Sequence, residues 1–308
     1  MNRPTVSIGI PVYNGERYLT QAVESVLAQG FADLEIVIAD NASTDRTGAI
    51  ARDFARSDRR ITYFRFGENV GPGRNFTKAF ELSRGKYFNW LAHDDVLAPG
   101  YIAACVRVLE QDPSVVLCHA GTLFIDDRGS VIGRFTEDLD TDLPRAHERF
   151  RVQLFNWKCF ELFGMIRRSA LEQMPPPVFG LYGNSDGVLL ARLSLLGRFR
   201  RIPEELFLNR EHPQRGGKQY TTYRELTVRV DPTKRGMILF PRWKMGVEYL
   251  RSVSLVPLEA SDRAHCYAHF LGWCRQMVPS LAANLLLAGA EIPGYLLRKR
   301  PLRPGIQT

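Results

Sequence analysis

Hydrophobic and polar positions alternate between two periods over the first hundred residues. Val6-Ser7-Ile8-Gly9-Ile10 is a β-rich apolar run that ends at Pro11. After Asn14-Gly15, apolar residues fall at Leu19, Ala22, Val23, Val26 and Leu27. That i, i+3, i+4, i+7, i+8 stripe predicts an amphipathic helix with Asn14 as its N-cap. Leu34-Glu35-Ile36-Val37-Ile38-Ala39 is the next strand and stops at Asp40, and Ser43-Thr44-Asp45 opens a second helix that runs to the neighbourhood of Phe54. The pattern repeats with a strand over 61–66, a helix over 76–82 and a strand over 87–91. Strands alternating with helices of this length imply right-handed βαβ units and a parallel sheet. Ligands of such sheets bind at the carboxyl ends of the strands. The chain sets Pro11-Val12-Tyr13-Asn14, Asp40-Asn41 and His93-Asp94-Asp95 at those ends. No Gly-x-Gly-x-x-Gly follows the first strand, which argues against a dinucleotide site.

Beyond Pro113 the pattern changes. Residues 115–122, 123–126 and 131–133 read as strands, the last two joined through Asp127-Arg128-Gly129. Residues 135–148 are polar and acidic and read as a loop, and 160–167 return to an apolar run. Pro175-Pro176-Pro177 breaks the chain before Gly180-Leu181-Tyr182-Gly183-Asn184-Ser185-Asp186, after which 188–196 read as a helix. From Pro232 onward the chain is helical in pattern and basic.

Charge narrows the partners. The 308 residues carry 41 basic and 33 acidic side chains, a net charge of +8. A nucleotide, an anionic membrane surface or a nucleic acid would suit that excess. Nucleic acid is set aside, because basic and aromatic residues are not interleaved and no zinc-finger spacing is present. Five scattered cysteines without a Cys-x-x-Cys fit a reducing cytosol. The N-terminus runs straight into a strand pattern, so no signal peptide is expected. The most apolar late stretch, 281–297, is interrupted by Asn284, Glu291 and Pro293 and is too short for a membrane span.

Asp94-Asp95 carries the chemistry that composition cannot. Neighbouring carboxylates repel, and a site that keeps both ionised commonly supplies a cation. Carboxylate oxygens suit Mg²⁺ or Mn²⁺, ions that also hold phosphates. A polar turn before the helix that follows Pro99 reads equally well from the pair alone.

The ordered set decides. Val6-Ser7-Ile8-Gly9-Ile10-Pro11-Val12-Tyr13-Asn14, Asp40-Asn41-Ala42-Ser43-Thr44-Asp45, Asn69-Val70-Gly71 with Asn75, and Gly85-Lys86-Tyr87 running into Asp94-Asp95 resemble the family 2 glycosyltransferases. The resemblance extends from residue 4 to the neighbourhood of 215. It implies an α/β, GT-A fold: a Rossmann-like, mostly parallel sheet flanked by helices. Residues 1–231 would form the GT-A domain, with a nucleotide-binding half (1–112) and an acceptor-binding half (113–231). Residues 232–308 would be a helical, basic C-terminal extension.

The resemblance also assigns roles. Pro11, Tyr13 and Asp40 would border the base, with Asp40 accepting from a pyrimidine N–H, and Asn14 would join the nucleotide-sugar contacts. Arg74 and Asn75 would touch the nucleotide or phosphates, although Gly71-Pro72-Gly73 also reads as a plain turn. Asp94 would lie near the ribose. Asp95 would hold Mn²⁺ or Mg²⁺, with His212 against metal or diphosphate. Sugar transfer needs a base for the acceptor hydroxyl and stabilisation of the leaving diphosphate. Asp186 matches the family's base, and a helix N-cap is its alternative role. Arg210, Arg215 and Lys218 would form a lid over phosphates. Two positions depart from the family pattern: Ala92 replaces the first Asp of Asp-x-Asp-Asp, and Ser185 replaces the Glu of a Glu-Asp pair.

The implied reaction is inverting transfer from a nucleotide-diphosphate sugar to a saccharide or lipid-linked acceptor, in cell-envelope polysaccharide, capsule or lipopolysaccharide synthesis. UDP-sugar leads, with dTDP- and GDP-sugars open, and loops 135–157 and 179–184 would shape the acceptor pocket. A non-catalytic nucleotide- or carbohydrate-binding homologue is the rival, with Ala92 and Ser185 marking lost chemistry. Trp243, Val247 and Leu250 at helical spacing, with Arg242, Lys244 and Arg251 nearby, suggest a face for an anionic membrane. Arg298-Lys299-Arg300 and Arg303 add to that charge. The expected location is cytoplasmic, with peripheral contact at the inner face of the membrane.

Overall fold

A computed structural model describes residues 3–136, 139–155, 158–213 and 222–299, the last ten of these by backbone alone. Runs rich in Val and Ile become the central strands β1 (Val6–Val12) and β2 (Leu34–Asp40), in which all residues are buried. They pair in parallel, Val12 opposite Asp40, so their polar C-terminal ends lie side by side. With β3 (Ile61–Arg65), β4 (Tyr87–Trp90), β6 (Val115–His119), β9 (Met165–Arg167) and β10 (Arg198–Arg201) they form a sheet of order β10-β6-β9-β4-β1-β2-β3. Only β9 runs antiparallel to its neighbours. The mostly parallel sheet expected from the sequence is therefore present.

Helices cover both faces because alternate strand residues point to opposite sides. Ile8 and Ile10 pack with α1 (Leu19–Leu27), α2 (Thr47–Ser57) and α4 (Tyr101–Gln111). Phe88 and Trp90 pack on the other face with α3 (Pro72–Glu81) and α7 (Ser185–Leu196). A smaller sheet, ordered β5-β11-β7-β8, is made of β5 (Val96–Leu97), β7 (Thr122–Ile125), β8 (Val131–Arg134) and β11 (Phe207–Arg210). It brings β11 beside the turn that carries Asp94 and Asp95. A third apolar cluster joins α5 (Ala146–Phe155) and α7 to α9 (Pro241–Leu255) and α10 (Ala260–Lys299). The 40-residue α10 is about 60 Å long. Among the described residues no helix is long and apolar enough to cross a membrane.

Some local expectations change. Asn14 does not cap α1, whose cap position is Tyr18. α3 begins at Pro72, earlier than its apolar stripe, because proline is well placed at a first helical position. The polar stretch 135–148 ends in α5, whose face toward α7 includes Arg149 and Gln153, 5% and 1% exposed. Arg149 reaches that burial by donating to the carbonyls of Ser194, Leu143 and Pro144, each at 2.8 Å. A buried Arg and Gln hide the apolar period from a sequence reading. The short helices α6 (Arg168–Leu171) and α8 (Tyr223–Val230) were also unexpected.

Candidate active site

Where β1, β2 and β4 end, the chain forms a cleft of about 860 Å³. Its floor is Pro11, Val12, Tyr13, Asn14 and Gly15, with Asn41, Asn69, Asn75 and Phe76 alongside. The strand-end loops are stitched to one another. Asn14 N–H donates to Ser43 Oγ at 2.9 Å, Thr44 N–H donates to Asn14 Oδ1 at 2.8 Å, and Gly15 N–H donates to Thr47 Oγ1 at 2.8 Å. Asn14 sits at φ 50° and Ala42 at φ 61°, left-handed conformations that these bonds hold in place. Asn41 Nδ2 donates to Asn69 Oδ1 at 2.9 Å and Asn41 Oδ1 accepts from Val70 N–H at 2.9 Å, which orders the second loop. Asn75 is 3% exposed and donates to Val12 O at 3.3 Å, leaving its Oδ1 without a protein partner among the described residues.

The far wall is formed by residues that the sequence reading does not single out. It comes from α8 and the turn after it: Arg224, Glu225, Val228, Arg229, Pro232, Arg235 and Gly236. Gly71, at φ 86°, makes this closure possible. A Cβ there would lie 2.5 Å from Val230 O and 2.6 Å from Pro232 Cδ. The expected boundary at residue 231 thus falls inside one wall of the cleft. The capping box of Thr222 and Glu225 is the sequence signal that could have revealed α8.

The carboxylates are sorted differently from expectation. Asp94 lines the cleft with His93 and His212, and His212 Nε2 lies 3.0 Å from Asp94 Oδ2. Burial alone would raise the Asp94 pKa, but His93, His212 and local backbone N–H groups outweigh it and hold the carboxyl well below its usual range. Asp95, 2% exposed, turns away from the cleft. It accepts from Arg210 N–H at 2.8 Å and from Asn209 Nδ2 at 3.1 Å, because β11 presents these buried donors to it. Of the two carboxylates it is Asp94, not Asp95, that faces the cleft. Asp40 is fully buried too. Its oxygens accept from Ser43 N–H at 2.8 Å, Tyr63 OH at 2.8 Å and Arg65 at 3.2 Å, and Asn41 faces the cleft instead. Arg74 lies off the cleft wall, 3.7 Å from Asp231.

Arg210 is no lid residue. It is 1% exposed and donates to Asp94 O at 2.9 Å, Asp126 O at 2.8 Å and Gln21 Oε1 at 2.7 Å, a strut beneath the site. Its guanidinium lies 4.7 Å from the Tyr18 ring centroid, and Tyr18 packs 5.0 Å from the His212 ring. Burial and the bonded Asp127 carboxylate push the Tyr18 hydroxyl up to about 12. Arg215, Lys218, Trp157, Arg300 and Arg303 lie outside the described residues, as do the side chains of Arg298 and Lys299.

Asp186 opens α7, after Asn184 at φ 64°. It does not line the cleft. Its Oδ1 accepts from Gly187 N–H at 2.9 Å and its carboxylate is bonded to the Cys159 thiol. Burial raises its pKa and outweighs those bonds. Nearby Glu161, which the sequence did not single out, is 4% exposed and pushed by burial up to about 7.

A mostly parallel sheet whose polar strand ends open on one cleft places the protein in the α/β class, with the cleft where ligands of such sheets bind. The sequence model described as "Glycosyl transferase family 2" matches residues 7–174, and the chain belongs to that family. It is 36% identical over 126 residues to the uncharacterized glycosyltransferase RT0329 of Rickettsia typhi, covering 41% of this chain and 38% of that one. It is 28% identical over 177 residues to the putative glycosyltransferase EpsH of Bacillus subtilis, covering 56% and 49%. The chain thus spans half or less of these relatives. The crystal structure of S. aureus TarS 1-349 in complex with UDP-GlcNAc superposes with a TM-score of 0.66 at 15% identity, covering 88% of this chain and 72% of that chain. This likeness shows a shared GT-A fold.

The family implies a divalent cation. Among the described residues no group of three or more His, Cys, Asp or Glu is arranged to hold one. Asp94 and His212 still suit such an ion, since Mg²⁺ and Mn²⁺ sites commonly take one or two protein ligands and fill the rest with phosphate oxygens and water. His212 Nδ1 is buried and unpartnered among the described residues, while Nε2 lies 3.0 Å from Asp94 Oδ2.

Proposed function

We propose that the protein transfers a sugar from a nucleoside-diphosphate sugar to an acceptor hydroxyl, with inversion at the anomeric carbon. The observation that carries this reading is the cleft at the ends of β1, β2 and β4, which has Asp94 and His212 on one wall and Arg224, Arg229 and Arg235 on the other. Those arginines give the diphosphate a cationic wall. Tyr13, 43% exposed at the floor, offers a ring face to a base, with Asn41 as the polar contact beside it. Asp40 then acts at one remove, by fixing the loop that carries Asn41. Asp94 and His212 would hold Mn²⁺ or Mg²⁺, which when bound neutralises charge on the departing diphosphate.

Asp186 is the proposed base. Its raised pKa gives the carboxylate more affinity for a proton than an ordinary Asp has, which suits deprotonation of an attacking hydroxyl. A single base and one in-line displacement support inversion. UDP-sugar is the leading donor, supported by the TarS complex with UDP-GlcNAc. A saccharide or lipid-linked acceptor of cell-envelope synthesis is the proposed class. A cytoplasmic location, at the inner face of the membrane, belongs to the same proposal. Trp243, Val247 and Leu250, 41%, 55% and 42% exposed, supply an apolar face for peripheral membrane contact.

The test is a screen of nucleotide sugars for hydrolysis and transfer by the full chain with Mn²⁺. Turnover of a UDP-sugar, abolished in Asp186→Asn, is expected. Tight UDP binding with no turnover of any donor would favour the non-catalytic homologue.

A further inference from the structure

A second cavity, of about 280 Å³, opens between the 175–182 segment, α7 and α9. One side is apolar, formed by the proline run at 175–177 with Leu181, Val188 and Leu189. The other carries Arg192 from α7, Lys234 from the turn after α8, and Lys244 and Arg251 from α9, against a single lining carboxylate, Glu248. That carboxylate is shared three ways. It lies 3.3 Å from Arg192, 2.8 Å from Lys244 and 3.6 Å from Arg251. Lys234 leans on Asp231 at 3.7 Å, a carboxylate it shares with Arg74.

Arg192 and Glu248 are buried, whereas Lys244 and Arg251 keep half their side-chain surface open. The Lys234 ammonium is pushed below its usual range, first by burial and then by Lys244 and Arg74, against the pull of Asp231. Positive charge at this cavity is therefore incompletely balanced. A carboxylate ligand would offset one charge, while a phosphate ester brings nearly two and three strong acceptor oxygens. Ser185, next to the proposed base Asp186, lines the same cavity, so on that reading of Asp186 the cavity lies on the acceptor side.

We propose that this cavity binds the phosphate ester of an anionic acceptor. The proposal rests on reading the strand-end cleft as the donor site. The apolar wall suits the carbon skeleton attached to that phosphate, whether the phosphate comes from a soluble sugar phosphate or from a polyprenyl phosphate.

Calorimetric titration of the full chain with inorganic pyrophosphate at low salt, with the strand-end cleft saturated by UDP, tests it. Wild type is expected to bind pyrophosphate, and the double variant Lys244→Gln/Arg251→Gln to bind at least about tenfold more weakly. Its UDP affinity should be unchanged and its melting temperature close to wild type. Lys244→Arg, which keeps the charge, should retain binding. Equal affinity in wild type and the double variant overturns the proposal. So does failure of both glucose 1-phosphate in solution and polyprenyl phosphate in micelles to displace pyrophosphate. Displacement by one alone identifies the source of the phosphate. If UDP itself does not bind, the donor-site reading fails, and the pyrophosphate titration without UDP still decides the cavity.

Discussion

Asp94 in the strand-end cleft and Asp186 at the start of α7 are the same side chain in opposite settings. Asp94 is held anionic by two histidines and local backbone N–H groups that overcome its burial. Asp186 is half-buried beside a thiol, and its shift has desolvation as the first cause and no cation among the others, so its proton is retained to higher pH. When two environments push carboxyl pKa values apart, the roles divide. The depressed group suits holding a cation or a polar ligand, and the raised one suits exchanging a proton. Under the proposed function, the cleft would handle the donor's charge and the α7 terminus the acceptor's hydrogen.

The comparison can be broken most forcefully at Asp186. Asp186→Asn is expected to lower transfer by about 10²–10⁴-fold while leaving UDP affinity within twofold of wild type, about 0.4 kcal/mol. Transfer assays paired with calorimetry check this, and unimpaired transfer would remove Asp186 from the chemistry. The pH profile follows with its sign. The base must be ionised, so activity rises with pH through an apparent pKa above that of an ordinary Asp. A profile flat down to the usual carboxylate range would contradict the assignment.

Gly71→Ala should weaken UDP binding by about tenfold, since a φ of 86° strains alanine and its Cβ meets the α8 wall. Unchanged UDP affinity in that variant would mean that the wall does not contact the nucleotide. Asp95→Asn should act on stability, costing about 1–3 kcal/mol in urea unfolding through its bonds to Arg210 and Asn209. A metal requirement lost in Asp95→Asn at unchanged stability would restore Asp95 as the ligand.

The last effect is confined to stability and to one end of the pH range, at Glu161. Its folded pKa, about 7, lies above the unfolded carboxyl value. The folded state therefore binds the proton more readily, and this contribution to stability is present at low pH and lost as pH rises to 7. Glu161→Gln should stabilise by about 1–3 kcal/mol at pH 8 and by little at pH 4. Equal melting shifts at both pH values would show that the burial of Glu161 is not what separates the two states.

What was legible in the sequence follows from the same physics. β1, β2 and β4 are buried on both faces, so their runs are mostly apolar and their polar ends stand out, which is why Pro11, Tyr13, Asn14 and Asp94 could be placed on the cleft. Which way a carboxylate turns was not legible. Asp40 and Asp95 face donors contributed by Arg65 and Arg210, strand residues 25 and 115 positions away, and no local pattern announces that pairing. The α8 wall was missed because its approach depends on one glycine contact across more than 150 residues. α5 was missed because its buried face carries Arg149 and Gln153.

One titration tests the centre of the account: UDP added to wild type and to Asp94→Asn, each with and without Mn²⁺. Binding to wild type that strengthens with Mn²⁺, and an Asp94→Asn variant that loses that Mn²⁺ enhancement and binds about 10–100-fold more weakly, are the predicted results. A variant that binds UDP as tightly as wild type, with the same response to Mn²⁺, would contradict it.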